Sequence, residues 1–198
     1  MHINTVRDRM MTVRFYLSLQ NDIRFRTNMV ENCCLQIRKS IEVLAFASLV
    51  ANKQAYASID AKFHKEWNSM ELMRRLNKLN PDFFPTAVEF EPNPTYPASR
   101  QAKPDSGKAL TREDAVKIYS KCSEVIHSRN PFNTPVDITY YYEAIANWVE
   151  KIDELIAGHM VTLTGTSNRW LFQLVDVNGK TEVNFAELEE IPKPPGAP

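Results

Sequence analysis

The chain has 198 residues, 43% of them hydrophobic and 24% charged, with a formal net charge of zero. A chain of this length buries roughly 70% of its unfolded surface and needs neither disulfides nor metal to hold its fold. Three cysteines, Cys33, Cys34 and Cys122, exclude a disulfide framework and predict a reducing, cytoplasmic setting.

The zero net charge hides a polarity. Residues 1–80 carry 13 Lys/Arg against 7 Asp/Glu, and residues 81–198 carry 11 against 17. A basic half attracts phosphate backbones, although Arg and Lys also serve as helix formers on solvated faces. The opening "MHINTVRDRMMTVRF" interrupts any apolar run with Arg and Asp, unlike a signal peptide. The longest apolar stretch, "VLAFASLVA" from Val43 to Ala51, falls far short of the roughly 20 residues a membrane span needs.

In chain order, a first helix is predicted over about Asn4 to Leu19, broken by "QND". A second follows in which Ile23, Val30, Cys34, Ile37, Ile41, Leu44 and Ser48 recur at helical spacings. From Ile41 to Ala51 this helix becomes apolar almost all round, which predicts the spine of the core. "AKFHKEWNSMELMRRLNKLN" predicts one or two shorter helices ending at Pro81. Residues 81–110 hold six of the twelve prolines and read as a loop acting as a lid, a partner-binding arm or a partly disordered connection. Phe83, Phe84, Phe90 and Tyr96 suggest that part of it packs across the helices.

Thr111, with Asp114 three residues on, nearly matches a capping box and predicts a helix to about Ile126 or His127. After the turn "NPFNTP" comes a last long helix ending at Gly158, its buried stripe Ile145, Trp148, Val149, Ile152, Leu155 and Ile156. The period then shortens. "HMVTLTG", "RWLFQLVD" and "TEVNFAEL" predict a three-stranded antiparallel meander, with Asn178-Gly179 as a tight hairpin turn. The expected organisation is a mainly α, antiparallel multi-helix bundle over 1–158, a β-meander over 159–191 packed on it, and a disordered tail over 192–198.

The sequence contains no Gly-rich phosphate loop, paired CxxC, HExxH or GxSxG motif. Four scattered histidines (His2, His64, His127, His159) predict no metal site, and no cofactor is expected. Cys122 and His127 are five residues apart and fall on different helical faces, which makes a poor dyad. His127 is the leading candidate, because a histidine titrates near neutrality and can act as general acid or base. Tyr119, Ser123 and His127 form an i, i+4 stripe, with Lys121, Arg129 and Asn130 close in sequence. The plainer reading is a histidine that closes a helix in its favourable dipole position.

Arg38 and Glu42 lie one turn apart on the spine helix. They read either as an intrahelical pair at the bundle edge or as a charged pair that faces the bundle interior and meets His127 from the neighbouring helix. Of the run Tyr140, Tyr141 and Tyr142, one residue is expected in the core and two at an edge. Core or dimer contact is favoured over base stacking.

Together, "CCLQIRKSIEVLAFASLVANKQAY" and "YSKCSEVIHSRNPF" resemble the HEPN superfamily, and within it a bacterial subgroup with a β-rich C-terminus. The resemblance covers roughly residues 5–157 and is carried by these two stretches. It implies an up-down helical bundle, a homodimer and a role in bacterial toxin–antitoxin, phage-defence or RNA-processing systems, where many members are metal-independent ribonucleases. Active members place an arginine shortly before a histidine, and two copies meet across the dimer.

Carried over, His127 matches the histidine, and the arginine slot reads "SKC", with Lys121 as its cation. Lysine lacks the planar fork of arginine. The expectation is therefore a non-catalytic HEPN-like binding or regulatory protein of a bacterial defence or stress system. Its expected ligand is RNA, a nucleotide or a protein partner from the same operon. The alternative is a metal-independent ribonuclease using His127 with Lys121 or Arg129 as catalytic residues. Arg38, Glu42, Tyr119, Ser123 and Asn130 are the expected binding residues. A structural dimerisation module without ligand is the third reading.

Overall fold

A computed structural model describes residues 2–19, 25–51, 69–79, 81–92, 100–127, 135–162, 169–177 and 180–188. These hold helices α1 (His2–Ser18), α2 (Arg26–Ala51), α3 (Ser69–Leu79), α4 (Arg112–Ile126) and α5 (Ile138–Ala157). They also hold strands β1 (Thr86–Pro92), β2 (Arg100–Pro104), β3 (Gly158–Thr162), β4 (Arg169–Val177) and β5 (Lys180–Leu188). Among the described residues, no helix is long and apolar enough to cross a membrane.

The spine expected from the apolar stripe is α2. Val30, Cys34, Ile37, Ile41 and Leu44 are all buried, and α2 packs against α1, α3, α4 and α5. Each such aliphatic side chain contributes about 1.5–3 kcal/mol when fully buried. Ile23 and the side chain of Ser48 lie outside the described residues. Helix α1 answers with Ile3, Val6, Met10 and Val13, spaced three and four apart on one face. In α5 all six stripe residues are buried as expected. Asp114 of α4 meets Lys151 near the end of α5, and Glu124 meets Tyr141 near its start, so these two helices run antiparallel.

Helix α4 opens as its capping pattern predicts. The Thr111 Oγ1 accepts from the Asp114 backbone N at 3.0 Å, satisfying an otherwise orphaned N–H. Thr111→Ala is expected to lower stability by about 1 kcal/mol in chemical denaturation, while Thr111→Ser retains most of it. Tyr141 is buried, Tyr140 is exposed, and half-buried Tyr142 lies under the Arg26 guanidinium, the expected split of core and edge.

The sheet is larger than the expected three strands. β3, β4 and β5 do form an antiparallel meander, but β1 joins β3 through the pairs Thr86↔Met160 and Ala87↔His159. β2 then pairs with the far part of β1, from Val88↔Pro104 to Pro92↔Arg100, giving the order β2-β1-β3-β4-β5. Residues 81–110, expected as a loop, thus supply two strands. The prolines do not prevent this, because Pro85 precedes β1 while Pro92 and Pro104 end strands, where a missing N–H costs least. Phe83 and Phe84 are buried in the core as expected, and Tyr96 lies outside the described residues. The register Val177↔Lys180 brackets Asn178-Gly179, which with the tail 192–198 also lies outside them.

Helix α5 passes into β3 without a loop, at Gly158. A Cβ there would lie 2.6 Å from Phe90 Cε2 and 2.7 Å from the Val88 carbonyl oxygen, so the glycine is required by the close approach of β1. Gly158→Ala is expected to cost about 1–3 kcal/mol, read from the denaturation midpoint. Next to it, His159 is 4% exposed and stacks on its cross-strand partner Phe172, with centroids 5.2 Å apart at 12°.

Candidate functional site

The end of α4 and the middle of α2 bring together four of the residues singled out in sequence. Arg38 is positioned by its neighbours Ile37 and Ile41, which bury α2 and leave Arg38 at its edge, 22% exposed. From there its guanidinium makes three contacts. Nε donates to Glu42 Oε1 at 3.2 Å, Nη1 meets His127 Nε2 at 3.1 Å, and Cζ lies 4.7 Å from the Tyr119 ring centroid. Tyr119, itself buried, donates its hydroxyl to the same Glu42 oxygen at 3.1 Å.

His127 stands where α4 stops. Its backbone is extended at φ −96 and ψ 138, and its side chain is exposed. A guanidinium only donates hydrogen bonds, so in this contact Nε2 is placed to accept. An i, i+4 helix ion pair, here partly buried, typically contributes about 0.3–0.5 kcal/mol. Glu42 and Tyr119 therefore matter chiefly by fixing the direction of Arg38.

The other candidates divide. Ser123 donates its hydroxyl to the Tyr119 carbonyl at 2.8 Å, within α4. Lys121 pairs with Glu124 Oε2 at 3.2 Å, and that oxygen also accepts from Tyr141 of α5. Lys121 thus serves the α5 side of α4, whereas His127 meets α2. Arg129 and Asn130 lie outside the described residues. Among the described residues the cation beside His127 is Arg38, 89 residues away in sequence. Arg38 and Glu42 pair within α2 at the bundle edge rather than facing its interior, and from that edge Arg38 meets His127. A charged pair placed at the boundary of the apolar spine was the signal for it.

Behind this edge, Cys33, Cys34 and Cys122 are buried free thiols. Burial, then the neighbouring Cys34, pushes Cys33 up to about 12. Cys122 is raised by its hydrogen bond with Cys34 and by burial. Such thiols stay protonated and pack as small hydrophobes rather than nucleophiles. Among the described residues, no group of three His, Cys, Asp or Glu could hold a metal ion.

Two clefts lie near the opposite end of α4. One of about 520 Å³ includes Phe84, Ala87, Leu110 and Arg112, and one of about 630 Å³ includes Met73, Arg74, Arg112 and Val116. Charged residues line both, Arg112 and Glu113 among them, but neither lining includes a histidine. At the edge, by contrast, a histidine, a guanidinium and a carboxylate meet.

Comparison with known proteins finds no matching family model, no matching curated protein and no matching solved structure. What the chain itself defines is a mainly helical protein with a docked antiparallel sheet and an Arg–His edge at the junction of α2 and α4.

Proposed function

We propose that this chain is a non-catalytic, HEPN-like binding or regulatory protein that recognises a phosphate-bearing ligand, RNA or a nucleotide, at the α2–α4 edge. It acts as a homodimer in a bacterial defence or stress system. The observation that carries the reading is the Arg38 guanidinium, aimed by Glu42 and Tyr119 at the exposed His127. Guanidinium groups held in a fixed direction are suited to phosphate oxygens, and an imidazole adds a second donor beside them. The basic first half of the chain supports attraction of the same ligands.

The test is fluorescence anisotropy of labelled single-stranded RNA, with nucleotides as competitors, at low and moderate salt. Arg38→Ala is expected to weaken binding at least about tenfold, the size of one charge-assisted hydrogen bond. Absence of binding to RNA and nucleotides alike, or an unchanged affinity in Arg38→Ala, defeats the reading.

The Arg38–His127 contact also favours a second reading, a metal-independent ribonuclease in which His127 is the general acid/base. Arg38, in place of Lys121, would then stabilise the phosphorane. RNA cleavage that persists in EDTA and disappears in His127→Ala selects this reading over the first.

A further inference from the structure

We infer that the α2–α4 edge takes up a proton together with its phosphate ligand, and that His127 is the group that receives it. The inference rests on the reading of this edge as the ligand site. Without ligand, His127 Nε2 faces the Arg38 Nη1 donor at 3.1 Å. A proton on Nε2 there would set N–H against N–H, so the unliganded contact favours Nε2 as an acceptor.

A phosphate oxyanion reverses this preference. Its oxygens only accept, so an oxygen placed between Arg38 and His127 draws a donor from each, and the ring that donates from Nε2 is best matched as the imidazolium. Among the described residues, the acidic groups near this end of α4 and along this face of α2 have partners or are exposed. Glu42 of α2 is held by Arg38 and Tyr119, and Glu124, one turn back on α4, by Lys121 and Tyr141. Glu31 is exposed, two turns before Arg38 on the same face of α2. The arriving phosphate is therefore the anion that compensates the new charge. Histidine side chains in general change charge between about pH 5 and 8, which sets the range the test has to span.

The probe is diuridine phosphodiester, whose charge is constant across this range, with sulfate as a second fixed-charge anion that lacks a nucleoside. Binding is measured by titration calorimetry on the full chain from pH 8 to pH 6 at constant ionic strength, in two buffers of different ionisation enthalpy. The expected result is roughly tenfold tighter binding at pH 6 than at pH 8, with proton uptake averaging about half a proton per site over that interval. Sulfate showing the same dependence assigns the linkage to the phosphate oxygens, and dependence with diuridine alone assigns it to the nucleotide.

His127→Gln keeps an acceptor for Arg38 but cannot gain charge, and its binding is expected to be flat with pH. Three results overturn the inference while leaving the ligand site standing. These are binding by the unaltered chain that does not change with pH, binding without proton uptake as a simple switch of tautomer would give, and a pH dependence that survives in His127→Gln. Failure of both probes to bind at any pH removes the ligand-site reading itself, and this inference with it.

Discussion

Phe83→Ala is expected to lower unfolding stability by about 3–5 kcal/mol, the cost of emptying a fully enclosed aromatic site. Among the described residues Phe83 is the largest of the completely buried side chains, and it packs edge-on against Phe84, with centroids 6.1 Å apart at 83°. It lies in the short passage between α3 and β1, within the proline-rich stretch that composition alone presents as a loop. Against a typical total of about 5–15 kcal/mol, a loss of this size moves the denaturation midpoint visibly or leaves the chain unfolded at 37 °C. Phe83→Leu, which keeps most of the volume, should recover more than half of it. A loss below about 1 kcal/mol in Phe83→Ala would mean that residues 81–92 are not part of the core.

His159 sets a second large effect, this time through pH. Burial drives its titration down from the ordinary 6.5 to about 4, opposed in smaller part by a backbone hydrogen bond with Leu155. Its Nδ1 is buried with no hydrogen-bond partner within normal reach, so little in the strand pocket offsets the cost of charging the ring. Between pH 6.5 and 4 the unfolded chain therefore binds a proton that the folded chain refuses. Stability is fully present above about 6.5 and falls as pH drops toward 4. The fall is at most about 3 kcal/mol, with no further loss from this group below that.

Urea unfolding at pH 7.5 and pH 4.5, compared between the natural chain and His159→Leu, isolates the effect. The variant should lose distinctly less stability between the two pH values. Equal losses in both proteins would show that the ring pays no penalty for charging in place.

The helical part of the fold was legible because its signals are local. The α5 stripe, the Thr111 cap and the alternation of one buried tyrosine between two outer ones each depend on residues within a turn or two. The hairpin β1–β2 was not, because its apolar alternation is confined to a few residues of "TAVEF" and is flanked by prolines that usually signal irregular chain. What makes these residues strands is their pairing with β3, a partner no local window contains.

The site divides the same way. His127, Tyr119 and Ser123 share an i, i+4 stripe that can be read directly. The partner of His127 could be sought among its chain neighbours only by assuming that proximity in sequence means proximity in space. Lys121, six residues earlier, is turned well around the helix, whereas Arg38 arrives from α2.

The position of β1 between β2 and β3 also governs the order in which a nascent chain can complete its sheet. Thr86 and Ala87 leave the ribosome long before Met160 and His159, their partners more than seventy residues later. Until then one side of β1 offers unpaired amides and carbonyls, the kind of edge that recruits strands from other chains. Closing it requires a distant pairing, which is slow compared with helix formation. Synthesis that stalls or terminates before β3 is thus expected to yield aggregating fragments, and α5, which leads directly into β3, is the element whose docking ends that exposure.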